Sequence, residues 1–452
     1  MNRRDFLKST ALIAATTTAS AVDKTVNISI PEEEEISKGK GLPLIASSPM
    51  LQNYAETSMG VAFAVNRLAN GFVDYSLSPD MSNSKRVMCG GFRVNDVNDE
   101  VMRIRLTGLK PATKYYYQIG AHEIHYKHYR DKKVLGTETD PKIYSFTTAG
   151  KKAKAHFCVI NDTHMRWEPL AYCLDKVAEL NPSCVIWNGD ANTNVDSVAE
   201  QKKIFLTPEI ERKDYASNIP YMFTPGNHDD RGKANWHMER VFMFRQPEER
   251  SSRDWDLGRN FAVRMGDIAL IGLDTAEDKV DSNPVLMGMF NSHAYREAQK
   301  TWLADALKQP EIASAPFLVA FCHIPLFDNR PEMNPGDILP ADKDDFHKPS
   351  FAVWQRTCAQ LWTPLLEKAG CQLIITAHTH IFRYDPPTKD RKWAHLVGGG
   401  PNMGRFSSKK ATKPDLFPTV IEGKIENKLL KITVHNIFSK SVEAEYTYKP
   451  RK

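Results

Sequence analysis

Several things are scarce in this chain, and each shortage narrows what it can be. Seven cysteines are spread over 452 residues. No CxxC pair occurs among them, so a zinc knuckle is unsupported and the thiols are expected to be packed as small hydrophobes. Beyond the N-terminus, no segment reaches the ~18 unbroken apolar residues that a spanning helix needs. Charge of one sign is also in short supply. Sixty Lys and Arg against 55 Asp and Glu leave a formal net +5. The first 21 residues carry Arg3, Arg4, Lys8 and Asp5, so only about +3 remains for the rest, and charge implies no nucleic-acid or membrane-surface partner. What is left is an ordinary globular composition, 41% hydrophobic and 25% charged, which excludes gross disorder. The length favours two or three domains with a sizeable core.

The N-terminus reads as an address. Asn2-Arg3-Arg4-Asp5-Phe6-Leu7-Lys8 precedes a short, mildly apolar stretch and then Ala19-Ser20-Ala21. A basic start, a weak h-region and an A-x-A ending describe a cleavable export signal. The paired arginines and the threonines within the h-region resemble the twin-arginine type, which implies a periplasmic or extracellular protein. Residues 22–45, with the run Glu32 to Glu35, read as a solvated linker.

Residues 46–150 show short alternating strands between turn residues, the pattern of a small antiparallel sandwich. The stretch from Leu106 to Tyr117 resembles the signature of fibronectin type III-like domains, in which a Tyr hydroxyl closes a turn onto upstream backbone. His122, His125 and His128 fall here and are expected on a loop or strand face. After Lys151 the texture changes to continuous apolar runs: Ala155 to Ile160, Cys184 to Trp187, Ile219 to Phe223, Ile268 to Leu273, Pro316 to Phe321 and Leu373 to Ile375. Such runs fit strands covered on both faces. Between the first two, apolar residues from Pro169 to Leu180 recur at helical spacing. Strand, helix, strand is the unit of a layered α/β domain, expected over 151–452.

The chemistry lies just beyond the end of each run. Ile160 is followed by Asn161-Asp162-Thr163-His164, and Trp187 by Asn188-Gly189-Asp190. Phe223 leads into Gly226-Asn227-His228-Asp229, Phe321 to His323, and Ile375 to Ala377-His378-Thr379-His380. Five strand ends thus deliver Asp, His and Asn to what should be one sheet edge, the edge where open α/β sheets bind ligands. Any one fragment is an ordinary cap or surface residue; the ordered set is not.

These blocks resemble the calcineurin-like metallophosphoesterase superfamily and, with the preceding sandwich, its purple acid phosphatase-like branch. The resemblance implies a four-layer α/β/β/α catalytic domain after a small all-β domain. It also implies two metal ions, divalent or mixed-valence, drawn from Fe, Mn or Zn. Asp190 would bridge them; Asp162, His164 and His380 would complete one site, and Asn227, His323 and His378 the other. Two cations about 3.5–4 Å apart clamp phosphoryl oxygens and bring a water's pKa near 7. The implied reaction is in-line hydrolysis of a small phosphate ester, with His228 protonating the leaving alkoxide. Asp229 either orients His228 or is a plain loop residue. A phosphomonoester is the first expectation. A phosphodiester (nucleotide, phospholipid headgroup or glycerophosphodiester) is the alternative, and a non-catalytic binding protein on the same fold the third reading.

The chain departs from the purple enzymes in three places. Thr193 stands where they carry Tyr, His164 where they carry Gly, and Ala377 replaces the Gly of the usual G-H-x-H block. Arg231, Trp236 and His237 are open between pocket lining and solvent-facing loop. The stretch from Asp328 to Pro349, with Asp344 and His347, is open between a specificity lid and passive surface. Gly398-Gly399-Gly400 is expected to serve backbone packing near the centre.

Overall fold

The structure is a computed structural model that describes residues 39, 41–89, 98–128, 130–244, 255–279, 281, 283–327, 350–401 and 417–451. The expected signal at 1–21, most of the linker at 22–45, and the stretch Asp328 to Pro349 with Asp344 and His347 lie outside the described residues.

The N-terminal part contributes β1 (Met50–Gln52), β2 (Ser58–Ala64), β3 (Ala69–Ser76), β4 (Lys85–Met88), β5 (Val101–Thr107), β6 (Lys114–His128), β7 (Asp131–Thr139) and β8 (Tyr144–Thr147). The remainder adds β9 (His156–Ile160), β10 (Cys184–Asn188), β11 (Tyr221–Thr224), β12 (Phe261–Met265), β13 (Ile268–Leu273), β14 (Phe317–Cys322) and β15 (Leu373–Thr376). It closes with β16 (Arg383–Asp385), β17 (Ala394–Val397), β18 (Thr419–Glu426), β19 (Leu429–Asn436) and β20 (Ser441–Tyr448). One nine-stranded sheet runs β20-β19-β18-β9-β10-β11-β1-β2-β5, and a six-stranded sheet runs β12-β13-β14-β15-β17-β16. Strands β9, β10 and β11 are mutually parallel, as are β13, β14, β15 and β17.

Each continuous apolar run serves two cores, because alternate strand residues point to opposite faces. Phe157 and Val159 of β9 join Leu270, Val319 and Ile375 in the core between the two sheets. Cys158 and Ile160 face the other way, onto Leu170, Cys173, Leu174 and Val177 of the helix Trp167–Leu180. That helix carries Pro169 in its first turn, where no intrahelical N–H is needed, and ends at Asn181 in the left-handed region. Burial of its leucines and valine is worth about 1.5–3 kcal/mol per side chain. Ala269, Ile271, Leu318 and Ala320 of the second sheet pack outward against Leu303, Trp362 and Leu366 of the helices Ser292–Ala306 and Ser350–Lys368. Helix, sheet, sheet, helix is the four-layer order.

The N-terminal strands do not close on themselves. β3, β4, β6, β7 and β8 form a five-stranded sheet. β1, β2 and β5 instead extend the nine-stranded sheet, with β1 parallel to β11 at Gln52 and Tyr221. Met59, Val61 and Phe63 of β2 and Tyr115, Tyr117 and Ile119 of β6 lie in the same hydrophobic cluster as the inter-sheet core. The expected tyrosine closure is present: the Tyr115 hydroxyl accepts from the Lys110 backbone N–H at 2.9 Å. The Tyr117 hydroxyl reaches across to donate to the Ser217 carbonyl at 2.7 Å. His122, His125 and His128 lie on β6, and all seven cysteines are buried free thiols.

Candidate metal centre

The ends of β9, β10, β11, β14 and β15 meet at one edge of the stacked sheets. Delivering their side chains to one point requires unusual backbone. Asp162, His164, Asp190, His378 and His380 all adopt positive φ, between 45° and 69°. For residues with a Cβ this costs of order 1–3 kcal/mol each, and it persists only where the surroundings impose it. Here they do: Asp162 N–H donates to Gly189 O at 3.0 Å, and His164 N–H to Asp190 O at 2.9 Å. His378 N–H donates to Asp162 Oδ2 at 3.2 Å. Gly189 and Gly226 are needed for space, since a Cβ on Gly189 would collide with the His323 ring and one on Gly226 with the Asp190 carboxylate.

Two ligand clusters result, and Asp190 belongs to both. Asp162, His164, Asp190 and His380 offer one set of donor atoms within 4.8 Å of one another, and Asp190, His323 and His378 offer a second. Asp190 Oδ2 lies 3.1 Å from His323 Nε2 and 3.5 Å from His164 Nε2. Asp162 Oδ1 is 3.3 Å from His380 Nε2, and the Nε2 atoms of His164 and His380 are 3.0 Å apart. Asn227 Oδ1 joins the second cluster, 2.8 Å from His378 Nδ1. All seven expected ligands therefore converge, with Ala377 immediately before His378.

Supporting contacts fix which atoms face inward. His323 Nδ1 donates to Asn188 O at 2.9 Å, which leaves Nε2 toward Asp190. Asn188 Nδ2 in turn donates to Cys322 O and Ile375 O, tying β10 to the second sheet. Asn161 Nδ2 donates to Asp162 Oδ2 at 2.7 Å and to Gly399 O at 3.0 Å. Gly398-Gly399-Gly400 accordingly packs as backbone against the centre, where a Cβ on Gly400 would meet His380.

Of the two readings open for Asp229, its contacts match the loop role. The Asp229 carboxylate accepts from the backbone N–H groups of Asp190, Gly226 and Asn192 and from Asn192 Nδ2, at 2.7–3.0 Å. It braces the loops after β10 and β11 and does not orient the His228 ring. That ring is held elsewhere, by Nδ1 donating to Thr193 O at 2.8 Å and by Arg231 Nη1 lying 3.1 Å from Nε2. The backbone of Thr193, where the purple enzymes carry Tyr, thus serves as the acceptor for His228. His228 also stacks edge-on against His164, with centroids 4.8 Å apart, and its N–H donates to Asp190 Oδ1 at 3.0 Å.

Sequence reasoning missed Glu277 and Asp278. Glu277 grips Arg231 through both oxygens at 2.9 and 2.7 Å, and Asp278 adds a third bond at 2.8 Å. Both follow the apolar run of β13, so the strand-end pattern that flagged the ligands points at them too. The Trp236 side chain lies outside the described residues, and His237 sits in the short turn Asn235–Arg240.

The electrostatics are those of a site that wants positive charge. Burial pushes the Asp162 and Asp190 carboxyls up, yet the neighbouring histidines hold both below the usual carboxylate range. Burial opposes charge on His323 as well, but Asp190 outweighs it and raises that imidazole to about 10. His164 and His378 go the other way, lowered mainly by burial to about 4 and about 3. Asp162 Oδ1 and His323 Nε2 are buried and find only charged neighbours, His380 Nε2 at 3.3 Å and Asp190 Oδ2 at 3.1 Å. Two carboxylates, four imidazoles and an amide oxygen gathered in this way fit divalent metal ions.

Comparisons with known proteins agree with this geometry. A sequence model of the calcineurin-like phosphoesterase family matches residues 155–382. Among solved structures, the chain is similar to purple acid phosphatase from yellow lupin (Lupinus luteus) seeds, with a TM-score of 0.59 and 14% identity, over 88% of this chain and 73% of that one. It is also similar to PhoD, with a TM-score of 0.56 and 12% identity, over 89% of this chain and 90% of that one. At these identities the likeness is one of fold. No curated protein sequence gives a significant match.

Proposed function

Because the chain belongs to the calcineurin-like phosphoesterase family, we propose that it is a metal-dependent hydrolase of small phosphate esters, phosphomonoesters first, acting outside the cytoplasm. The observation that carries the reading is the placement of Asp190 within reach of both ligand clusters. Asp162, His164 and His380 would hold one cation with it, and Asn227, His323 and His378 the other. Cations bound there would neutralise phosphoryl oxygens and acidify water near neutral pH.

The chain's own residues do the rest. Asp229 keeps the loops of Asp190 and Asn227 in register through its four hydrogen bonds. Asn188 and Asn161 fix His323 and Asp162. His228 presents Nε2 beside the clusters. A carbonyl only accepts, so Nδ1 carries the hydrogen toward Thr193. Nε2 is therefore an acceptor facing Arg231, and His228 must first take up a proton before it can give one to a leaving alkoxide. Export rests on the twin-arginine-like N-terminus.

The test pairs metal analysis of the purified protein with turnover of p-nitrophenyl phosphate and its bis-ester. Two metals per chain with faster monoester turnover is the expected result. A bis-ester preference would move the reading to a phosphodiesterase, and a metal-loaded protein that turns over neither would end it.

A further inference from the structure

We infer that Arg231 is the specificity-determining residue of this centre, reading the third terminal oxygen that a phosphomonoester has and a phosphodiester lacks. The inference rests on the hydrolase reading above for its reaction, though not for its binding test.

The guanidinium is anchored along its Nε–Nη2 edge. Nε and Nη2 make a fork onto Glu277, Nη2 also bonds Asp278, and Nη1 is turned to His228 Nε2 at 3.1 Å. Lys279 shares both carboxylates, 3.2 Å from Glu277 and 2.6 Å from Asp278, so they do not cancel Arg231 alone. On its far side the same network approaches the second cluster, with Asp278 Oδ2 3.9 Å from His378 Nε2. The cation therefore lies beside the centre, between Glu277 and His228, fixed in orientation.

Its exposure separates it from the buried arginines Arg264 and Arg296. The Arg231 side chain is 26% exposed, while its anchor Glu277 is 4% exposed. Arg264 and Arg296 are 1% and 0% exposed and bond backbone carbonyls. A buried anchor beneath a reachable, planar donor is how guanidinium groups recognise phosphate oxygens. Cations held by the two clusters would engage two oxygens of a bound phosphoryl group. A monoester presents one more, and Nη1 beside His228 is the donor for it; a diester has an ester oxygen there, a poorer acceptor without the charge.

The experiment measures binding of inorganic phosphate and of dimethyl phosphate to the metal-loaded full chain by calorimetry, with metal content determined for each variant. Wild type is expected to prefer phosphate. R231Q is expected to lose about 10- to 100-fold in phosphate affinity, the worth of a charge-assisted hydrogen bond. It should leave dimethyl phosphate and metal content unchanged. R231K keeps the charge without the fork and should fall between; E277Q, which loosens the fork, should weaken phosphate less than R231Q. Unchanged phosphate affinity in R231Q overturns the inference, as do an equal loss for both ligands and a fall in metal content. If R231Q does not fold, wild-type discrimination by R231K overturns it. A protein that hydrolyses nothing but shows the Arg231-dependent preference sinks the hydrolase reading and leaves this one standing; turnover of monoesters with Arg231 indifferent does the reverse.

Discussion

Replacing Asp190 with Asn changes one atom and removes the charge that both clusters share. The amide has to choose an orientation. Oδ1 of Asp190 accepts from the His228 N–H at 3.0 Å, so the amide oxygen is drawn to that side. The NH2 group then points where Oδ2 now faces His323 at 3.1 Å and His164 at 3.5 Å, the place a cation would occupy. A donor replaces an acceptor, and a negative charge is lost beside two positive ones. At an effective dielectric of about 20, a unit charge pair at 4 Å is worth about 4 kcal/mol. A tenfold change takes about 1.4 kcal/mol, so affinity for each cation should fall on the order of a thousandfold. Asp190→Asn should therefore come through dialysis with less than one metal per chain by elemental analysis. Its kcat on p-nitrophenyl phosphate should drop by a factor on the order of a thousand or more. A proton signature accompanies this in the metal-free protein: His323, held up at about 10 largely against burial by Asp190, should titrate well below that by NMR. A variant that retained two metals and wild-type turnover would refute the shared-carboxylate argument at its root.

Other consequences are testable on the same protein. His228→Ala should keep full metal content and lose about 10²–10⁴-fold in kcat, the usual worth of general acid–base assistance. Metal loading at pH 8 should release protons, because His323 is raised to about 10 and must give up its proton to become a ligand, whereas His164 and His378, lowered to about 4 and 3, have none to lose. Calorimetry in buffers of different ionisation enthalpy measures this, and apparent metal affinity should rise with pH until about 10. Asp229→Asn should lower the melting free energy by about 1–3 kcal/mol, since an amide NH2 facing two backbone N–H groups leaves them unpaired. Because burial and then Asp190 push the Asp229 carboxyl up to about 6, its contribution to stability is fully present below the ordinary carboxylate range and is lost as pH rises through about 6. The Asn variant should remove that step from the stability–pH curve. Gly226→Ala should behave as a metal-site lesion in a folded protein, its methyl displacing the Asp190 carboxylate; circular dichroism together with metal content decides it.

Much of the centre was legible because its construction is local. Each candidate ligand lies within five residues of the end of an apolar run, and parallel strands must all end at one edge. Five fragments such as Asn161-Asp162-Thr163-His164 could therefore be assigned to one place from their order along the chain. The helix Trp167–Leu180 was legible for the same reason, from side-chain period alone. The parts that were not legible depend on distance across the fold. Arg231 and Glu277 are 46 positions apart and meet only because the loops after β11 and β13 share an edge. Asp229 could be read as a partner for the neighbouring His228. The turn after β11 aims its carboxylate the other way, into backbone N–H groups of a different loop.

By itself, the sequence determined which Asp, His and Asn residues stand at strand ends and which strands are covered on both faces, since composition and period are carried by neighbours along the chain. Only the tertiary structure decided that β1, β2 and β5 belong to the nine-stranded sheet. Strand alternation says that a face is buried and not against which sheet. Only the fold, likewise, decided that one carboxylate stands between two sets of donors. That arrangement depends on side-chain directions set by left-handed turns, which packing imposes and local preference disfavours.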